Sequence, residues 1–338
     1  MIRRLLCTLS ALMGVAAFVL IFAPIDVEAA EKIKFNMSWL PQGSTAGFIV
    51  AGELGLYEKE GLDVEVQRGY GGLRTVNEVA SGLFEFGYGD PQGMVLNRTK
   101  GGKTKMIGTI NDTLPIALCW DAAKLNIKKP EDLDGRKVGG GAQSPIQIIL
   151  PILMANSGKG SVTMIRMDPA VTIPAVLSGQ TDVSDCWAGS NLGIAKGMAA
   201  EKGMKLGHAF LRDIFGLDTY GNGIVTSEQV IATRRQIISK FVRASYKGYS
   251  WMFKNMDAAV DMVIKRYPTV KHAIVLDQVR DMVPLMKGPE FDTKGFGWID
   301  REKMKRTRDF IVKGWDVKMD IPLDDLYTNE FLKGDPIK

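Results

Sequence analysis

The chain is poor in the residues that metal and nucleophilic sites draw on. It has two histidines, His208 and His272, far apart, and three cysteines, Cys7, Cys119 and Cys186. No HxxxH, HxH or CxxC spacing occurs, so neither a metal site nor a dithiol redox centre is expected, and no cofactor is called for. A GxSxG elbow, a Walker phosphate loop and a serine-histidine-acid arrangement are missing as well, which argues against an enzyme. Beyond residue 23 no run is long and apolar enough to span a bilayer. There is no block of one charge sign either. The net charge of +5 is spread along the chain, and its densest basic stretch, Arg301 to Arg308, is interleaved with Glu302 and followed by Asp309 at helical spacing. That pattern is a solvated helix face rather than a nucleic-acid surface.

The N-terminus supplies a compartment. Arg3 and Arg4 precede an apolar run from Leu5 to Ala23, and small residues follow through Ala29 and Ala30. Basic, apolar and small-residue regions in that order predict an export signal over residues 1–29, cleaved near Ala29/Ala30, and a periplasmic mature protein. An uncleaved anchor helix is the alternative, since the run approaches the ~20 residues of a span. No cysteine stands at the boundary for a lipid anchor. Cys119 and Cys186, which remain after cleavage, lie in apolar, strand-like runs and are expected as buried thiols, although an oxidising compartment would let them pair.

One pattern occurs twice. Val79 to Gly87, VASGLFEFG, returns as Val176 to Ser184, VLSGQTDVS, each time a helix end, a glycine cap and a strand. The offset from Gly82 to Gly179, 179 − 82 = 97 residues, is the size of a small α/β lobe. Alternating strand and helix patterns between Lys32 and Trp187 predict two mostly parallel sheets, hence two α/β lobes with a cleft at their strand ends. Crossings are expected at Leu114 to Trp120 and Tyr220 to Thr226, giving lobe 1 as 30–117, lobe 2 as 118–221, and a return to lobe 1 over 222–338. The last third reads as helices, the first started by a capping box at Thr233-Arg234-Arg235-Gln236. Ser144, before Pro145, is placed as the N-cap of a helix in the second lobe.

The repeat aligns Tyr88 with Asp185 and Asp90 with Trp187, so these side chains are expected at matching strand ends. Trp39, Trp187 and Tyr220 offer flat faces to a ring or short chain. Gln42, Gln92, Gln143 and Asn222 offer amides, and Ser144 a hydroxyl. Each also has a plainer role: the tryptophans as core, Asp90 as a helix cap, Asp185 as a turn residue, the glutamines as solvated loop groups, Tyr220 and Asn222 as hinge residues. Helix starts near Ser44, Gly72 and Ser144 would direct amide donors at a bound group.

Trp39-Leu40-Pro41-Gln42, Glu53 to Val64, Lys129 to Val138, Asp182 to Ala188 and Leu326 to Leu332, in this order and spacing, resemble the nitrate/sulfonate/taurine-type substrate-binding proteins of ABC importers and the related binders of thiamine pyrimidine precursors. The resemblance covers essentially the whole mature chain. It implies a type II periplasmic binding protein: a monomer of two α/β lobes joined by two crossovers, closing on a small solute and delivering it to a membrane permease and its ATPase. No arginine can be matched to those that sulfonate binders use, while Asp90 and Asp185 would repel an anion, so an organic solute with polar donors and an aromatic or anionic part ranks above bare nitrate. The alternatives are an enzyme like the pyrimidine synthases of this fold, whose cysteine-rich iron site is missing here, and a binding protein that feeds a sensor kinase.

Overall fold

The computed structural model describes residues 29–338 except 143 and 335. The expected export signal, apart from Ala29, lies outside the described residues. The strands are β1 (Glu31–Asn36), β2 (Leu62–Gln67), β3 (Phe86–Gly89), β4 (Thr104–Thr109) and β5 (Ile116–Asp121). They continue with β6 (Lys137–Gly141), β7 (Thr163–Met167), β8 (Val183–Trp187), β9 (Leu206–Phe210) and β10 (Gly223–Ser227).

These strands form two five-stranded sheets of matching design, β2-β1-β3-β10-β4 and β7-β6-β8-β5-β9. In each, three parallel strands are followed by one antiparallel strand contributed by the chain crossing from the other sheet: β10 beside β3, and β5 beside β8. The helix-glycine-strand repeat underlies this match. Gly82 and Gly179 sit at φ 78° and 79°, the left-handed region that ends a helix at little cost only for glycine. Each then feeds the central strand of its sheet, β3 or β8.

The crossings are shorter than expected. Ile116 already pairs with Trp187, so most of 114–120 is strand rather than connection. The two connecting segments pair with each other instead: Leu114 N–H with Thr219 O, Gly221 N–H with Asn111 O, and Asn111 N–H with Asn222 O. Lys303, from the helix Arg301–Gly314, ties both segments together, with Nζ 2.6 Å from Asp112 Oδ2 and 2.8 Å from Asp218 Oδ1.

The helix Arg235–Lys254 packs against Ala46–Glu53 over the first sheet. Phe241 stacks on Phe86 at 4.2 Å between ring centroids, and Phe35, Phe48 and Tyr249 extend this aromatic core. The expected capping box does not form. Thr233 ends a separate short helix, Glu228–Thr233, and its hydroxyl bonds back to Gln229 O, so Arg234 stands at the cap position without a side-chain cap. The second sheet has a smaller aliphatic core around Leu118, Leu133, Val138 and Leu150.

The cysteines correct the expectation of free thiols: Cys119 on β5 and Cys186 on β8 form a disulfide. Register explains it. Cys119 pairs with Ser184 and Cys186 with Ala117, so the cysteines are diagonal neighbours on one face of an antiparallel pair, with Cα atoms 6.0 Å apart. Among the described residues no helix is long and apolar enough to cross a membrane.

Candidate functional site

The carboxyl ends of β1, β2 and β3 carry the first set of candidate side chains. After β1, Ser38 takes φ 68°, and its carbonyl accepts the Gly71 N–H at 2.7 Å, while Trp39 O accepts from Gly69 N–H at 3.3 Å. The loops after β1 and β2 are thereby joined into one rim. Its large exposed apolar side chains are Trp39 (38% exposed), Leu40 (44%), Tyr70 (56%) and Leu73 (38%), with Arg68 and Arg74 exposed beside them. Tyr70 is a rim residue that sequence reasoning did not single out. Its ring has the Arg68 guanidinium 4.3 Å and the Arg74 guanidinium 4.7 Å from its centroid, which puts arginines on the rim where sequence matching found none.

Below the rim the polar groups are ordered by local bonds. Gln42 Nε2 donates to Ser44 Oγ at 3.0 Å. Tyr88 is buried, its hydroxyl accepting from Asn111 Nδ2 at 2.8 Å, and burial pushes its ionisation far above the ordinary phenol range. Asp90 caps the helix Pro91–Arg98, accepting the Gly93 N–H at 2.6 Å. A Cβ on Gly72 would stand 1.8 Å from Asp90 Oδ2, so only glycine admits this carboxyl against the β2 loop. Desolvation raises the Asp90 pKa above the usual carboxylate value. Gln92 is half-buried in the first turn of the same helix.

The second sheet answers with a different chemistry. Ser144 does not cap the helix Ile146–Ser157; Pro145 occupies that position, and the Ser144 hydroxyl donates to Asp185 Oδ2 at 2.7 Å. Asp185, on β8, is 3% exposed, and its pKa too is raised, chiefly by desolvation. Trp187, half-buried at the end of β8, has its backbone N–H held by Asn191 Oδ1 at 2.7 Å, and Asn191 Nδ2 returns to Asp185 O at 3.3 Å. Gln143 lies outside the described residues.

Two expectations move. Tyr220 is not a flat face for a ligand: it is 1% exposed in a cluster with Val76 and Met94, and its hydroxyl accepts the Asp300 N–H at 2.7 Å. Met304 and Ile311 of the helix Arg301–Gly314 share that cluster and cover the ring. Asn222 lies between the two connecting segments, its carbonyl accepting from Ile110 and Asn111 and its Nδ2 reaching Tyr88 O at 3.4 Å. A separate surface depression of 430 Å³, lined by Lys105, Asp324, Tyr327 and Glu330, lies beside edge strand β4, away from these loops, and its charges are already used by Lys105 with Asp324 O and Arg301 with Asp324.

Two five-stranded mixed sheets of like strand order, covered by helices, give the chain the fold of periplasmic binding proteins. The chain belongs to the NMT1/THI5 like family, whose model matches residues 42–259. It is similar to riboflavin-binding protein RibY of Chloroflexus aurantiacus, with 23% identity over 320 residues, covering 92% of this chain and 89% of that one. It is also similar to a formylaminopyrimidine-binding protein of Halalkalibacterium halodurans, 21% identical over 280 residues, covering 82% of this chain and 83% of that protein. Among solved structures, the periplasmic aliphatic sulphonate binding protein SsuA from Escherichia coli superposes with a TM-score of 0.64 at 15% identity, covering 90% of this chain and 99% of SsuA.

Proposed function

We propose that this protein is the extracytoplasmic solute-binding component of an ABC importer. In this reading residues 30–117 and 222–338 form one lobe and 118–221 the other, and the monomer, exported by its N-terminal signal, delivers its solute to a permease and ATPase. The observation that carries it is the pairing of unlike groups at the strand ends of the two sheets: an aromatic rim with Trp39 and Tyr70 after β1 and β2, and the buried Asp185 carboxyl, bonded by the part-buried Ser144, beside Trp187 on β8. An aromatic rim takes a planar body, and a desolvated carboxyl takes a ring N–H, amino or hydroxyl donor. The solute class is therefore a small heteroaromatic compound bearing hydrogen-bond donors, with Arg68 able to meet a polar or anionic end at the rim. The names of the riboflavin- and formylaminopyrimidine-binding relatives support that class over bare inorganic anions.

The test is calorimetric titration of the mature protein with riboflavin, formylaminopyrimidine, an alkanesulfonate and nitrate. One of the two heterocycles is expected to bind, and Trp39→Ala to weaken it several-fold, the loss of about 1 kcal/mol of ring packing, with the melting midpoint nearly unchanged. Binding of nitrate or the sulfonate alone, untouched by Trp39→Ala, overturns the solute class.

A further inference from the structure

Gln278 is 4% exposed on the helix His272–Met286 and uses both ends of its amide. Its Oε1 accepts the Gly43 N–H at 2.8 Å, and its Nε2 donates to the Ser190 carbonyl at 2.8 Å. Gly43 belongs to the segment after β1 that presents Trp39 and Gln42; Ser190 ends the segment after β8 that follows Asp185 and Trp187. The fit is close: a Cβ on Gly43 would lie 2.4 Å from Gln278 Cβ, and one on Gly193 3.0 Å from its Cγ. Only a neutral amide supplies one acceptor and one donor on a planar head of this length; glutamate has acceptors alone and lysine donors alone.

The same seam carries two more links. Ser44 N–H donates to Gly189 O at 3.3 Å, joining the two segments directly. Lys196, on the helix Asn191–Glu201, holds both carboxylate oxygens of Asp281 at 2.6 and 2.7 Å, and Asp281 lies three residues after Gln278 on the same helix face.

We propose that Gln278 is a positioning residue that fixes the spacing of the two candidate solute segments and thereby sets solute affinity without touching the solute. The affinity part rests on the proposed function; the spacing part does not. The test therefore reads both. Labels on Leu83→Cys and Lys202→Cys, exposed positions on the first and second lobes, report the interlobe distance distribution of the solute-free protein. Gln278→Glu keeps the acceptor for Gly43 but sets a carboxylate oxygen against the Ser190 carbonyl; Gln278→Met removes both bonds at similar volume; Lys196→Ala loosens the same seam from its more exposed side. The expected result is a broadened or shifted distance in all three, with near-ultraviolet circular dichroism retained, and a tenfold or larger loss of affinity for whichever of riboflavin or formylaminopyrimidine the wild type binds, carried mainly by faster dissociation. Unchanged distances in every folded variant overturn the proposal, as does a changed distance with unchanged affinity. A changed distance in a protein whose wild type binds neither compound supports the spacing role and overturns the solute class instead.

Discussion

The two lobes share a strand order but not a way of holding together. The first buries an aromatic core, in which Phe241 from the helix Arg235–Lys254 lies against Phe86, Phe35 and Tyr57. The second has a mainly aliphatic core, in which Trp120 is the buried aromatic, and crosslinks its central antiparallel pair through Cys119–Cys186. The difference reaches the strand ends. Position for position, Tyr88 with an aromatic neighbourhood in one sheet corresponds to Asp185 with Ser144 in the other, and Asp90 to Trp187. Divergence at the same register leaves each strand end with one aromatic and one carboxylate in opposite order: Tyr88 then Asp90 in the first lobe, Asp185 then Trp187 in the second. Under the proposed function, such a pairing suits a solute with a flat face and a hydrogen-bonding edge.

The comparison breaks most severely at the cores. Phe241→Ala removes a ring from a stack with three partners, and a large-to-small change of this kind costs about 3–5 kcal/mol. Hydrogen exchange is expected to show β1, β2 and β3 losing protection while β5 and β8 keep theirs; equal loss in both sheets would mean that the lobes unfold as one unit. The double variant Cys119→Ala/Cys186→Ala is the reciprocal experiment. Closing a loop with a sequence separation of 67 residues is worth up to about 4 kcal/mol in chain entropy, and 2–4 is typical. Its expected signature is earlier proteolytic cleavage within 118–221 on heating, with the aromatic lobe still folded. A variant as stable as the native protein would show that β5 and β8 do not need the crosslink.

Local chemistry made much of this legible. Gly82 and Gly179 were readable as helix ends because a left-handed cap is a one-residue requirement, and the strands they feed followed from period and length. The matching strand-end positions of Asp90 and Trp187 followed from the offset alone. What sequence could not carry is pairing at a distance. The cysteine partnership depends on the register of β5 against β8 across 67 residues, and the Ser144 hydroxyl turned to Asp185, 41 residues away, because Pro145 took the cap. Tyr220 suggested a ligand face, but Asp300, 80 residues later, and the helix it caps close over it. Gln278 gave no signal at all, since a buried glutamine in an amphipathic helix shows its meaning only through the two backbones it joins.

The smallest expected effect is also the one that separates function from scaffold. Asp185 is desolvated, so its carboxyl is harder to ionise in the folded protein than in the unfolded chain. The sign follows from linkage. Below the unfolded carboxylate range, near pH 4, both states are protonated and there is no penalty; as pH rises the unfolded chain ionises first and gains, and above the raised folded value the full penalty remains. Asp185→Asn abolishes that titration while its amide oxygen still accepts from Ser144. The variant should thus be more stable than the native protein at neutral pH, by at most about 1 kcal/mol, the scale of one exchanged polar contact, with the gain vanishing toward pH 4. Its affinity for the heterocycle of the proposed function should fall, because a carboxylate acceptor has been replaced by an amide. Melting curves from pH 4 to 8 beside calorimetry at neutral pH decide the matter: stability and affinity moving in opposite directions mark Asp185 as a group kept for binding, whereas a joint loss marks it as part of the framework of the second lobe.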